Sequence, residues 1–322
     1  MTVDAGLYES KSAADEYFKN FPLGYENLNE YVREELAMEM LVNPTSTRAW
    51  AFDKATDSSK MILYKSKDIP ANLENFKVEL GEGCETHLRL PEDMPNLLSI
   101  DIRVREVAAS ETKYTVTLPR HAPQLHRLAL KNVQFQPSLQ LNAQDMPKLK
   151  ILTITVCSET KLIDLGKMSG LQEIDISLNA QLSDLHMPEQ FPEATSLRIS
   201  NNPRLPLGEQ HIPRELPELR RLFLENNDLR EVSSVIEGLK APNLRQLDLS
   251  GNHLHHLTLP SPGFERLTTV GLAWNDFTTI PQSIMDLNPN VDVNLINNRF
   301  SDRIQRRYED AMAAAGYSGP RL

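Results

Sequence analysis

Two cysteines in 322 residues, Cys84 and Cys157, are too few for a disulfide framework or a four-ligand zinc site. No apolar run reaches the ~18 residues of a membrane-spanning helix. Basic charge is in deficit: 34 Lys and Arg stand against 44 Asp and Glu, a net charge of −10. That balance speaks against nucleic acid, because phosphate binding draws its affinity from clustered cations. The residues after Met1 (Thr2, Val3, Asp4, Ala5) lack the basic and apolar regions of a secretory leader. The one Asn-x-Thr triplet, Asn43-Pro44-Thr45, is voided by its proline. No GxSxG elbow, Walker loop, HExxH or GxGxxG occurs, so no assembled catalytic motif is expected. At 40% hydrophobic and 24% charged residues the chain is nevertheless too apolar to stay disordered.

Self-similarity is plentiful instead. Leu219, Leu222, Leu224, Asn227, Leu229 and Val232 follow the pattern LxxLxLxxNxLxxL. Leu244, Leu247, Leu249, Asn252, Leu254 and Leu257 repeat it, as do Leu267, Val270, Leu272, Asn275, Phe277 and Ile280. Shorter copies run through Leu171, Ile174, Ile176 and Asn179, through Leu197, Ile199 and Asn202, and through Val293, Leu295, Asn298 and Phe300. The asparagines at 179, 202, 227, 252, 275 and 298 step by 23, 25, 25, 23 and 23 residues. A period of about 20–29 residues with this consensus is the leucine-rich repeat. Upstream the copies decay but keep time, with Cys157, Val133, Arg105 and Gly81 in the Asn slot.

The residue types follow from the geometry such a repeat needs. Each copy is a short strand and a return loop whose apolar edge it cannot bury alone, so stacked copies share one core and pair their strands in parallel. The turn after each strand leaves backbone polar groups inside the coil, and a slot Asn offers them both donor and acceptor. Cys157 suits the slot as a small buried hydrophobe, a structural rather than a reactive thiol. The expected fold is an α/β solenoid, a leucine-rich repeat horseshoe with a parallel concave sheet.

Both ends read differently. Tyr17, Phe18, Phe21, Tyr25, Leu28, Tyr31, Val32, Leu36, Met40 and Leu41 recur at helical spacing, interrupted at Pro22-Leu23-Gly24 and stopped by Asn43-Pro44. Ser301 is an N-cap candidate for a helix whose face carries Ile304, Tyr308, Ala311 and Ala315, with Gly316 at its C-terminal cap. The expected organisation is a helical N-terminal region and cap over 1–65, nine or ten repeats over 66–300, and a C-terminal capping helix and junction over 301–322. Capped ends keep a solenoid from aggregating edge to edge.

Candidate chemistry is sparse. His253, His255 and His256 follow Asn252 on the loop side, with no carboxylate partner visible nearby in sequence, and read as a solvated loop rather than a metal site. Asp101 with Arg103, and Glu173 with Asp175, alternate on strands and read as surface. No cofactor is expected. Binding is expected on the concave face, where alternation places Glu173, Asp175 and Ser177, then Ser196, Arg198 and Ser200, then Arg221, Phe223 and Glu225, then Gln246, Asp248 and Ser250. Trp274 lies just past its strand. Aromatic and Arg residues clustered at a surface centre mark interface hot spots.

Asn294-Leu295-Ile296-Asn297-Asn298-Arg299-Phe300-Ser301-Asp302-Arg303, with Gly316-Tyr317-Ser318-Gly319-Pro320-Arg321-Leu322, carries a more specific likeness. It resembles the junction of NEL-type ubiquitin-ligase effectors of bacterial pathogens, the invasion-plasmid-antigen family. There a last repeat, a helix and a YSGP-like motif lead into the catalytic domain. The resemblance implies delivery into a host cell by type III secretion, where the partner would be a host protein; independently, a monomeric chain is expected. Two departures stand out. The repeats here are longer and more varied than the family's, and the catalytic Cys-x-Asp is not found: Cys84 begins Cys84-Glu85-Thr86 and Cys157 begins Cys157-Ser158-Glu159. The expected function is therefore non-enzymatic capture of a host protein in the host cytoplasm. The alternatives are the substrate-recognition half of a ubiquitin ligase, or a scaffold subunit serving a partner of its own organism.

Overall fold

The computed structural model describes residues 49–52, 69, 71–80, 87–104, 114–135, 138–157, 159–208, 211–231, 233–260, 264–314 and 317–321. The helices expected within 12–42, Cys84, the slots at Gly81 and Arg105, Ala315 and Gly316 lie outside these residues. The chain divides into two compact units, 1–133 and 134–322.

In the first unit, strands β1 (Ala49–Phe52), β2 (Asn75–Leu80), β4 (Ser99–Val104) and β6 (Arg127–Lys131) pair in parallel, each with the next. Between them β3 (His87–Arg89) and β5 (Thr115–Thr117) pair on the opposite side of the coils. Strand β1 lies within the N-terminal region 1–65, beyond the helix stop expected at Asn43-Pro44. Its four residues Ala-Trp-Ala-Phe carry no LxxLxL beat, and the ladder with β2 rather than any local pattern defines it.

The second unit repeats the plan. Its front sheet contains β8 (Ile151–Thr155), β10 (Glu173–Ser177), β12 (Ser196–Ser200), β13 (Arg221–Phe223), β14 (Gln246–Asp248), β15 (Thr269–Gly271) and β16 (Asp292–Asn294), all parallel and in chain order. Behind it β7 (Ser138–Gln140), β9 (Leu162–Asp164) and β11 (Asp184–His186) form a second parallel sheet. Later coils replace the back strand with short helices, Ser233–Ile236 and Gln282–Met285.

The register explains why leucine repeats. Leu152, Ile174, Leu197, Leu222, Leu247, Val270 and Val293 face one another strand by strand, and all are buried. Each stacks on its neighbours in the adjoining coils, and burial of such a side chain is worth about 1.5–3 kcal/mol. The fold is the expected leucine-rich repeat solenoid with a parallel sheet. At the C-terminal end a helix spans Asp302–Ala313; Ser301 Oγ accepts the Ile304 N–H at 3.4 Å, in the N-cap position. Ile304, Tyr308 and Met312 are only half-buried, and Tyr308 Oη accepts the Ile280 N–H at 3.2 Å.

Candidate protein-binding surface

Three columns of residues run from coil to coil in the second unit, and each is set by its offset from the slot. The slot column itself is buried from Cys157 to Asn275 and half-buried at Asn298. Asn179 Oδ1 accepts the Cys157 N–H at 2.9 Å, Asn202 Oδ1 the Asn179 N–H at 3.1 Å, and Asn227 Oδ1 the Asn202 N–H at 3.0 Å. Asn252 Oδ1 takes two, from Asn227 N and Leu229 N at 3.0 and 3.1 Å. Asn275 and Asn298 continue the series with Leu254 N at 3.0 Å and Phe277 N at 3.1 Å. The amide nitrogens donate to strand carbonyls of the coil before, as Asn202 Nδ2 does to Ile176 O at 2.9 Å and Asn275 Nδ2 to Leu249 O at 3.0 Å. Asn252 Nδ2 and Asn275 Nδ2 donate within their own coil as well, to Leu249 O at 2.9 Å and Leu272 O at 3.2 Å, so each of these side chains serves backbone groups on two coils. Cys157, fully buried, directs its thiol to Thr155 O at 3.5 Å. In the Val133 coil the flanking residues supply the amides: Asn132 Nδ2 donates to Val104 O at 3.3 Å, and buried Gln134 Oε1 accepts the Glu159 N–H at 2.8 Å.

The residue just before the slot is left-handed in coil after coil: Asn132, Val156, Leu178, Asn201, Asn226, Gly251, Trp274 and Asn297, with φ between 54° and 67°. From Val156 to Trp274 the ladder enforces it, because each N–H group there reaches the next coil: Leu178 to Ser200 O at 3.0 Å, Asn226 to Ser250 O at 3.0 Å, Trp274 to Ile296 O at 2.9 Å. Gly and Asn tolerate this region, whereas a bulky residue there costs about 1–3 kcal/mol. At Gly251 space decides as well, since a Cβ would lie 1.8 Å from Asn226 Oδ1.

The residue just after the slot forms an ionic column. His253 lies between Asp228, at 3.1 Å from Nε2, and Asp276, at 3.2 Å from Nδ1; Arg299 Nε closes the series on Asp276 at 2.7 Å. The sequence reading of His253 as lacking a carboxylate partner is therefore corrected. Its partners come from the adjacent coils, outside any local window. His255 Nδ1 donates to Asp276 O at 3.3 Å. Among the described residues no cluster of three His, Cys, Asp or Glu is placed to hold a metal ion.

The solvent face of the sheet carries the residues singled out for binding. In its middle row Asp175, Arg198, Phe223 and Asp248 occupy successive strands in register. Arg198 lies 4.1 Å over the Phe223 ring and donates to Glu225 Oε1 at 2.6 Å, while Ser200 Oγ also bonds Glu225. Arg198 is thus already engaged, and it half-covers the aromatic ring expected to stand free. Arg221 is the more available cation, with Glu173 at 3.5 Å. Ser177 and Ser200 are buried beneath longer neighbours rather than facing solvent, Ser177 Oγ donating to Asp175 Oδ1 at 2.6 Å. Among the described residues Asp175 and Asp248 have no ion-pair partner; Asp248 accepts only the Ser250 N–H, at 2.9 Å. Gln246 is exposed at the first row. Trp274 is 66% exposed and belongs to the left-handed column, not to a strand row.

At the C-terminal end the tail folds onto the last strand. Arg321 O accepts the Val293 N–H at 2.7 Å, and Arg321 Nε pairs with Asp292 at 2.8 Å. The YSGP segment closes locally through Tyr317 Oη to Pro320 O at 2.8 Å, with Tyr317 so close over Gly319 that a Cβ there would meet its oxygen at 2.5 Å. Between β16 and the terminal helix lies a groove of 680 Å³ lined in part by Ile296, Phe300, Tyr308 and Met312.

These features define a leucine-rich repeat solenoid, the kind of protein whose sheet face serves protein binding. The Leucine Rich Repeat family profile matches residues 243–267, the coil around Asn252. No curated protein matches the chain. Among solved structures, the functional domain of InlJ from Listeria monocytogenes, described as including a cysteine ladder, is similar at 12% identity and a TM-score of 0.24. The similarity covers 69% of this chain, and the chain spans 64% of that domain's length.

Proposed function

We propose that this chain is the recognition module of a bacterial effector and captures a host protein, within the host cytoplasm, on the solvent face of its sheet. The observation that carries the reading is the middle row, where Arg198 and Phe223 are held together, with Glu225 just past the strand fixing the guanidinium, between two carboxylates, Asp175 and Asp248, that lack cation partners among the described residues. Such a surface is preorganised, so little side-chain entropy is lost on binding. The effector setting rests on the junction residues Asn294–Arg303 and Tyr317–Pro320 and their resemblance to the NEL-type family. A second reading, the substrate-recognition half of a ubiquitin ligase, is favoured by the Tyr317–Pro320 motif alone.

The test is capture from host lysate by the wild type, by the Arg221→Glu/Phe223→Ala double variant and by a His255→Ala/His256→Ala control. The expected result is loss in the double variant and retention in the control. The reverse pattern assigns binding to the other side of the coil. For the second reading, an open frame past the codon for Leu322 that encodes a Cys-x-Asp motif is the decisive observation. Purified chain supplied with ubiquitin, activating enzyme and conjugating enzyme is expected to form no chains above background.

A further inference from the structure

Most coils fill the left-handed column with Asn or Gly, which suit it. Val156, Leu178 and Trp274 do not, and at Trp274, the most exposed of the three at 66%, packing does not explain the residue. Beside it on the next coil stands Ile296, also 66% exposed, whose carbonyl accepts the Trp274 N–H. Two large apolar side chains are thus exposed on adjoining coils whose backbones are bonded at this point, one in a conformation that an Asn would adopt with less strain. Strain kept without burial is characteristic of ligand clamps. The sheet in front of the pair is open. Strand β15 offers only the small residues Thr269 and Gly271 to the face, with Ala273 buried just after it, and the Asp248 carboxylate leans over Gly271, where a Cβ would meet Oδ1 at 2.3 Å.

We propose that Trp274 and Ile296 form the apolar anchor for an extended, basic segment of the partner protein. This rests on the reading of the sheet face as a binding surface and names the chemistry it selects. The segment lies along β15 with a Lys or Arg at Asp248 and an apolar side chain between the indole and Ile296. Charge complementarity sets the partner's sign: Asp248 lacks a cation among the described residues, Arg198 is neutralised by Glu225, and Asp292 by Arg321. Gly271 and Trp274 are three residues apart, about 10 Å in an extended strand, so one short segment reaches both groups.

The chain has two tryptophans, so Trp50→Phe leaves Trp274 as the only indole reporter. The probe is a peptide with an Arg-Ser-Leu-Ser-Leu core, which presents cation and leucines on one face of an extended chain. Its controls carry Glu for Arg, or Ser for both Leu. The expected result with the Arg–Leu peptide is a blue shift of Trp274 emission and protection from acrylamide. Neither control peptide is expected to produce it, and Asp248→Asn or Ile296→Ser should weaken the effect about tenfold. In addition, Trp274→Asn is expected to raise the unfolding midpoint, because relieving the strain sacrifices only function. An unchanged Trp274 signal with the Arg–Leu peptide overturns the anchor. Equal response to the Glu peptide, or unaltered affinity in Asp248→Asn, overturns the charge assignment. The broader sheet-face reading is judged separately by host capture in the Arg221/Phe223 variant, so it can stand while this inference falls.

Discussion

The coils around Asn179 and Asn202 and those around Asn227 to Asn298 use the same slot in two different ways. In the earlier coils the front strands have five residues and the chain turns on itself just after the slot. Thr160 N donates to Cys157 O, Leu182 N to Asn179 O and Leu205 N to Asn202 O, each within its own coil at 3.0 Å. The later strands have three residues, and the same region bonds outward to the coil before: His253 N to Leu229 O at 2.7 Å, Asp276 N to Leu254 O at 3.0 Å, Arg299 N to Phe277 O at 2.9 Å. The cause is one residue. The next core position follows the slot by three in the earlier class (Thr160, Leu182, Leu205) and by two in the later one (Leu229, Leu254, Phe277). Three residues close a tight turn; two cannot, and the free N–H groups extend the intercoil ladder. The ionic column through His253 and Asp276 exists only where that extension brings the coils' flanking residues into line.

Disruptions of the two classes sharpen this contrast. The largest effect is expected in the shared core: Leu222→Ala or Leu247→Ala removes a side chain packed between two coils and should cost about 2–5 kcal/mol by denaturant titration. Asn252→Ala should cost about 1–3 kcal/mol, because its Oδ1 serves two N–H groups of the coil before. Cys157→Ala in the earlier class should cost less, since a thiol bonds the Thr155 carbonyl only weakly. Gly251→Ala should cost about 1 kcal/mol or more through its positive φ and the close Asn226 amide.

The junction between the classes responds to acid. His211 is buried there, its Nδ1 accepting the Gly208 N–H at 3.0 Å, and burial holds its imidazole below the ordinary value of 6.5. A depressed folded value means the unfolded chain takes up the proton first. The stabilisation is complete above about pH 6.5 and is lost as pH falls through the folded value. The thermal midpoint of the wild type should therefore decline more steeply below pH 6.5 than that of His211→Gln. Glu193 and Glu215, held below 4.5 by hydrogen bonds from Lys150 and Lys240, act only in still more acid solution. The smallest effect is expected on the sheet face, where Arg221→Glu with Phe223→Ala should shift stability by no more than about 0.5 kcal/mol.

Much of this was legible in the amino-acid sequence, and the rest was not for identifiable reasons. The slot asparagines and the leucine columns recur at fixed intervals, so the solenoid and its parallel sheet could be read from spacing alone. The two classes are written in the sequence too, in the distance from Asn179 to Leu182 against that from Asn227 to Leu229. The pairing of His253 with Asp228 and Asp276 was not visible locally, because its partners are one coil away; aligning the repeats on their slots would have exposed it. Alternation correctly put Arg198, Phe223 and Glu225 on one face. It could not show that Arg198 lies on the ring and closes on Glu225, since side-chain direction depends on neighbours from three strands. Strand β1 had no signal of its own. Trp274 was singled out for being aromatic, but its left-handed backbone follows from the ladder and not from its own residue type.

The account rests on the slot amides holding neighbouring coils together, and native-state hydrogen exchange of Asn252→Ala tests that most directly. Asn227 N and Leu229 N both donate to Asn252 Oδ1, whereas Asn179 N donates to Asn202, two coils away from the substitution. Exchange at Asn227 and Leu229 should accelerate until it no longer requires global unfolding, while Asn179 stays as protected as the substituted protein's overall stability allows. Unchanged protection at Asn227 and Leu229, or equal loss at all three, would contradict the claim that each slot asparagine fastens its own pair of coils.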